Sequence, residues 1–251
     1  MRRADTSAAI DSSQSMVAAS GLKAMIPVGR PFLDYVLSAL RQAGYTDACL
    51  VIGPEHGCVR EYYTQCHLRH LQLHFAVQPD PRGTADALLA AESFVGADDF
   101  VVLNSDNYYP VKVLADLATM PGAGAVMFER EGLIANSNIP PDRVSKFAYA
   151  TIDSIGYLLD LVEKPESESI STEHQLISMN CWRFSPEIFR YCRSVPMSER
   201  GEFELPQAVR LAVKSGMRLK ITASAEGVLD LSTRSDIAKV ASRLQTVSVD
   251  L

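Results

Sequence analysis

The sequence has little with which to staple itself, cross a membrane or coat a polyanion. Its five cysteines, Cys49, Cys58, Cys66, Cys181 and Cys192, are odd in number and scattered through 251 residues. That excludes the dense, even framework of a small disulfide scaffold and fits a reducing compartment. His56, Cys58, Cys66, His67, His70 and His74 are metal-ligand types, but no paired Cys-x-x-Cys accompanies them, so zinc-site spacing is lacking. No apolar run reaches the length of a membrane span, and the stretch Met1 to Ser15 carries no apolar signal-peptide core. The expected setting is the cytoplasm. Positive charge is not in excess either: 24 Lys and Arg stand against 30 Asp and Glu, a formal net charge of −6. This argues against nucleic acid as the partner without excluding a local phosphate site. Ser93, Ser105 and Ser178 lie in no nucleophile-elbow sequence, so serine acyl chemistry has no support.

What is present is apolar residue in plenty, 47% of the chain, enough to bury the core of one large domain. Residues 1–22, rich in Ala, Ser and Asp without a sustained period, read as a loop or tail, and residues 23–251 as the domain. Phe32, Tyr35, Val36, Ala39 and Leu40 recur at helical spacing between Pro31 and Gly44. Ala48 to Ile52 follows as a buried strand, then a helix over Cys58 to Cys66, a strand over Leu73 to Val77, a helix over Ala85 to Phe94 and a strand over Phe100 to Leu103. Beyond a helix at Val111 to Leu117 and a strand at Ala125 to Phe128, the stretch Glu131 to Asp142 reads as a loop. Phe147 to Ile152 and Tyr157 to Val162 read as a hairpin, Leu176 to Phe184 as one strand, and Ser235 to Leu244 as a closing helix. Strands spaced by helices predict an α/β fold with a mixed, mainly parallel sheet. In such sheets ligands gather beyond the carboxyl ends of the strands.

Four short segments stand at those ends. Asn104-Ser105-Asp106-Asn107 follows an apolar strand, so Asp106 is either a turn residue or one carboxylate of a magnesium site, because that hard cation needs only one or two protein carboxylates. Gln78 to Ala85 contains Gly83-Thr84 at a helix start, where free N–H groups can meet a carbonyl or phosphate; Thr84 also reads as an ordinary N-cap. Glu163-Lys164-Pro165 closes a strand with an acid able to hold sugar hydroxyls and an ammonium able to hold phosphate, and reads equally as a solvated surface pair. Asp230, after Val228-Leu229, is a second carboxylate or a helix cap.

Their order carries more than any one of them. Lys23-Ala24-Met25-Ile26-Pro27-Val28-Gly29 with Arg30-Pro31, then Gln78 to Ala85, Asp106, Glu163-Lys164-Pro165 and Asp230, resembles the sugar-1-phosphate nucleotidyltransferases, or NDP-sugar pyrophosphorylases, from about Lys23 to Leu244. The resemblance implies a three-layer α/β/α Rossmann-like nucleotide-diphospho-sugar transferase fold. It implies transfer of a nucleotidyl group from a nucleoside triphosphate (NTP) to a sugar 1-phosphate, with release of pyrophosphate. It also implies catalytic roles for Lys23, Asp106, Lys164 and Asp230, with Mg2+ held by Asp106 and Asp230. Gln78, Gly83 and Thr84 would read the base, and Glu163 and Asn180 would touch the sugar. A homo-oligomer is a possible assembly, and base and sugar are left open. Two departures stand out. The Gly-rich signature expected before Lys23 is absent, with Met1-Arg2-Arg3 resembling its tail, so an upstream start is expected, and a chain beginning at Met1 would lack a central strand and turn over poorly. Phe147-Ala148-Tyr149 replaces a Gly-containing segment. The competing reading is a non-catalytic regulatory subunit that binds a nucleotide sugar; a glycosyltransferase ranks last, since Asn104-Ser105-Asp106 is not Asp-x-Asp.

Overall fold

The computed structural model describes residues 11–66, 68–163 and 176–251. The first element already departs from the sequence reading. Helix α1 (Ser12–Ser20) stands within residues 1–22, which read from the sequence as a loop or tail. Its cause is a capping box: the Asp11 carboxylate accepts from Gln14 N–H, and the Gln14 side chain accepts from Asp11 N–H, satisfying two donors that a helix start leaves free. Gly21, at φ 86°, ends the helix in the left-handed conformation.

After a 3-10 turn at Lys23–Met25, helix α2 (Phe32–Gln42), strand β1 (Asp47–Ile52), helix α3 (Gly57–Gln65) and strand β2 (Gln72–Val77) follow in the expected alternation. The predicted helix over Ala85 to Phe94 is broken into α4 (Thr84–Ala90) and α5 (Glu92–Val95). Next come β3 (Phe100–Val102), β4 (Asn107–Tyr108), α6 (Val111–Thr119) and β5 (Gly124–Glu129). The stretch read as a loop then holds α7 (Arg130–Asn136) and α8 (Pro141–Val144), the latter opened by proline in its first turn. Hairpin strands β6 (Ala148–Ile152) and β7 (Leu158–Glu163) meet around Asp153, whose carboxylate accepts from the N–H groups of Ile155 and Tyr157. The single strand expected over Leu176 to Phe184 is two, β8 (Leu176–Ile177) and β9 (Trp182–Phe184). The chain closes with α9 (Ile188–Ser194), α10 (Leu205–Lys214), β10 (Lys220–Ser224), β11 (Leu229–Asp230) and α11 (Asp236–Leu244).

Strand pairing corrects the expectation of a mainly parallel sheet. The principal sheet has seven strands, in the order β3-β9-β5-β8-β6-β7, with β10 alongside β5. Among the described strands, only β10 with β5, and β1 with β2 in a separate pair, run parallel; the other six pairings are antiparallel. The reason is local. Helix–strand alternation governs the first half, whereas β6 and β7 form a hairpin, which only antiparallel neighbours allow, and β8 and β9 both run antiparallel to β5. Among the described strands β1 pairs only with β2 and β3 only with β9.

β5 is the spine. Val126 and Phe128 point into a cluster with α2, α6 and α11, while Ala125 and Met127 point into another with α4, α9 and α10. A strand buried on both faces needs an unbroken apolar run, which Ala125-Val126-Met127-Phe128 supplies. Each large side chain so buried contributes about 1.5–3 kcal/mol. The fully buried Trp182 and Phe184 lie in the second cluster.

Candidate active site

Asp106 lies just beyond β3, as its place in the sequence predicts, and a two-residue ribbon brings the second carboxylate to it. β4 and β11 pair antiparallel with Asn107 opposite Asp230, and Leu231 N–H donates to the Asp106 carbonyl at 2.9 Å. Both aspartates line one cavity of about 110 Å3, together with Asn104, Asn107, Phe147, Ser178, Met179, Asn180 and Ser232. Lys23 reaches the same place from the 3-10 turn, its Nζ 2.8 Å from Asp106 Oδ2. Thus Lys23, Asp106, Asp230 and Asn180, far apart in sequence, converge.

The two aspartates differ in electrostatics. Asp106 is partly exposed and paired with Lys23. Asp230 is buried, 3% exposed, and burial holds its carboxyl above the ordinary carboxylate range; the negative charges of Asp106 and Asp236 push it further, while a hydrogen bond from Ser232 and the charge of Arg143 oppose the shift. Its Oδ1 is buried without a hydrogen-bond partner among the described residues. A buried, unpartnered carboxylate oxygen is costly unless something cationic meets it. Two carboxylates at one cavity therefore fit a hard divalent cation. Among the described residues no three His, Cys, Asp or Glu side chains gather as a ligand set, so such an ion would complete its shell with water and substrate oxygens.

Asn180 adopts φ 56°, a left-handed backbone rare for residues other than glycine. It separates β8 from β9, which is why the predicted single strand is two. The buried Tyr109 donates its hydroxyl to the Met179 carbonyl at 2.5 Å, and Asn180 N–H donates to Ser178 Oγ at 3.3 Å. Backbone strain over-determined by its surroundings is a feature of ligand sites.

The Gln78 to Thr84 segment is built differently and does not line that cavity. Gly83, at φ 113°, is itself the N-cap of α4, correcting the reading of Thr84 as that cap. A Cβ at Gly83 would lie 2.5 Å from the Phe203 carbonyl oxygen. Ala85 N–H donates to that carbonyl, and Phe203 N–H donates to the Arg82 carbonyl. Thr84 Oγ1 accepts from Leu205 N–H at 2.8 Å, so it caps α10 rather than its own helix. Gln78 Nε2 donates to the Gly83 carbonyl and to Asp86 Oδ2. Glu163 ends β7, its backbone opposite Ala148; its side chain and Lys164 lie outside the described residues.

Sequence reasoning missed the supports of Asp230. Asn138 brackets its backbone, and Arg143 grips Asp236 through two hydrogen bonds of 2.8 and 3.0 Å. Asn138 lay in a segment read as loop, Arg143 just past its end and Asp236 in a helix start, and no local signal marks them, since their partners are about a hundred residues away.

Comparison with known proteins adds an independent line. A family model described as nucleotidyl transferase matches residues 17–246. A UTP–glucose-1-phosphate uridylyltransferase, AglF, of Haloferax volcanii is 25% identical over 224 residues, covering 89% of this chain and 88% of that protein. Glucose-1-phosphate thymidylyltransferases of Streptomyces antibioticus and Streptomyces griseus are 30% and 27% identical across 74% and 87% of this chain, which spans 50% and 59% of their lengths. Among solved structures, UDP-glucose pyrophosphorylase complexed with UDP-glucose superposes with a TM-score of 0.73 at 17% identity, covering 88% of this chain and 89% of that one.

Proposed function

The chain belongs to the nucleotidyl transferase family, and from that premise we propose that it transfers a nucleotidyl group from an NTP to a sugar 1-phosphate, giving an NDP-sugar and pyrophosphate. The observation that carries the reading is the meeting of Asp106 and Asp230 at one cavity, with Lys23 ion-paired to Asp106 and a buried Asp230 oxygen left without a partner among the described residues. Uridine or thymidine with a hexose 1-phosphate is the favoured substrate pair, in line with the names of the relatives. The two hydrophobic clusters on opposite faces of β5 support reading the domain as a three-layer α/β/α Rossmann-like arrangement.

In the reaction an oxygen of the sugar phosphate attacks the α-phosphorus, the bond from that phosphorus to the bridging oxygen breaks, and pyrophosphate departs. No protein nucleophile is needed. The chain's work is alignment and charge compensation. Lys23, turned from Asp106 toward phosphate, offsets negative charge, and Lys164 does the same at the sugar phosphate. Asp106 and Asp230 would hold Mg2+, which when bound withdraws charge from phosphate oxygens. Gln78, Gly83 and Thr84 form the base-facing edge, the close approach of Gly83 to Phe203 giving that edge a fixed backbone. Glu163 and Asn180 serve the sugar side. No described helix is long and apolar enough to cross a membrane, which is consistent with work on soluble substrates in the cytoplasm; a homo-oligomer remains part of the reading.

The test is pyrophosphate release from the purified protein across a panel of UTP, dTTP, ATP and GTP against glucose 1-phosphate and other sugar 1-phosphates, with Mg2+. Release that depends on both substrates is expected, with one base preferred. Binding of an NDP-sugar without any turnover would replace this reading with that of a regulatory subunit.

A further inference from the structure

We propose that Asn138 is a positioning residue for the Asp230 carboxylate, acting as a side-chain substitute for a neighbouring β-strand. This rests on the reading of Asp106 and Asp230 as a divalent-cation site. The ribbon carrying those residues is only two residues long on each side. On the edge facing β4 the bonding passes through Leu231, whose N–H meets the Asp106 carbonyl. The N–H and carbonyl of Asp230 accordingly point the other way, to the edge where no described strand pairs. Asn138 fills that edge. Its Oδ1 accepts from Asp230 N–H at 2.8 Å, and its Nδ2 donates to the Asp230 carbonyl at 2.8 Å, the two bonds that an adjacent strand would otherwise make.

The amide is itself held. Asn138 is 8% exposed, and its Nδ2 also donates to Asp236 Oδ1 at 3.3 Å. Asp236 takes two hydrogen bonds from Arg143, and Thr233 N–H and Oγ1–H donate to its Oδ2. Apart from the Arg143 Nε, which has no partner among the described residues, the network is satisfied, the kind that fixes one geometry. It also fixes the Asn138 amide orientation, because a flipped amide would aim its NH2 group at the Asp230 N–H and its oxygen at the Asp236 carboxylate. Asn138 additionally lines an open groove of about 590 Å3 with Ile134, Pro140, Lys239 and Arg243. Without its side chain, water would enter beside Asp230 from behind. A support of this kind acts through the residue it orients, and its loss should weaken cation affinity more than stability.

The experiment measures Mn2+ binding to the full chain by electron paramagnetic resonance, with thermal unfolding in EDTA run in parallel, for wild type, Asn138→Ala, Asn138→Ser and Asp230→Ala. Wild type is expected to bind Mn2+ and Asp230→Ala to lose it. Asn138→Ala should weaken binding about ten- to a hundredfold, and Asn138→Ser, which retains a hydroxyl for the Asp230 N–H, should fall between. Should Asn138→Ala fail to fold, Asn138→Ser alone decides, and unchanged affinity in it overturns the proposal. Unchanged affinity in a folded Asn138→Ala likewise overturns it while leaving the cation site intact. Wild type and Asp230→Ala indistinguishable in Mn2+ binding would instead sink the cation-site reading, and this proposal with it.

Discussion

The Asp106–Asp230 cavity and the Gly83–Thr84 segment, proposed to face the base, are stiffened by opposite means. Around Asp106 and Asp230 the backbone contributes little, a ribbon of two residues against two, and the geometry is completed by side chains: Lys23, Asn138, Arg143 and Asp236. Around Gly83 and Thr84 the main chain does most of the work. Peptide groups of Arg82, Ala85 and Phe203 exchange hydrogen bonds, and a missing Cβ allows the approach. Side chains can exchange one charged partner for another, whereas backbone bonds cannot. Under the proposed reading, the carboxylate end is thus suited to charges that come and go, and the other to recognising a fixed shape.

The comparison can be broken most sharply at its charged end. Asp106→Ala should lower turnover by about a hundredfold or more, read as initial rates of pyrophosphate release, with thermal unfolding nearly unchanged because the Lys23 pair is partly exposed and contributes little to stability. Survival of normal turnover would mean that Asp106 is a turn residue after all.

At the other end the order of effects should invert. Gly83→Ala places a Cβ 2.5 Å from the Phe203 carbonyl oxygen at a φ of 113°, and should cost about 1–3 kcal/mol of stability together with a raised KM for the NTP. Denaturant melts and steady-state kinetics give both, and a neutral substitution would show that the clasp at Phe203 is slack. Thr84→Ala removes the acceptor for Leu205 N–H and should cost about 1 kcal/mol, as lost helix caps do, seen as a lower unfolding midpoint.

The subtlest effect concerns Asp230. Because its carboxyl is held above the usual range by burial, the folded protein takes up this proton before the unfolded chain does. The group therefore weighs against folding at neutral pH, and that burden lifts as pH falls through the raised folded-state value. Asp230→Asn should raise the metal-free melting temperature at pH 7, by about 2–4 °C for each kcal/mol relieved, while losing activity. The gap to wild type should close toward acid pH. A variant melting below wild type at pH 7 would mean that the carboxylate's hydrogen bonds outweigh its burial.

Much of the first half of the fold was legible because its signals are local: an apolar run flanked by Gly and Pro makes a strand, and helical spacing between Pro31 and Gly44 makes α2. The failures have local explanations too. The Asp11 to Gln14 capping box was overlooked within a Ser- and Ala-rich stretch, and polar residues from Glu131 to Asp142 concealed two short helices. Leu176 to Phe184 looks continuous until Asn180 is required to turn left-handed. Of the site residues, Asp106 announced itself by following a strand. Asn138, Arg143 and Asp236 did not, since nothing within a few residues of any of them differs from an ordinary loop or helix start.

By itself, then, the sequence determined the family, the order of the charged segments and the side of the sheet to which Asp106 belongs, because each follows from short-range pattern and succession along the chain. Tertiary structure alone decided that the mixed sheet is mainly antiparallel rather than mainly parallel, that Thr84 caps α10 instead of α4, and that Asn138 stands in for a strand beside Asp230. Those outcomes depend on which donor meets which acceptor across some 90 to 120 residues of chain, and hydrogen-bonding groups carry no mark of their distant partner until packing brings the two together.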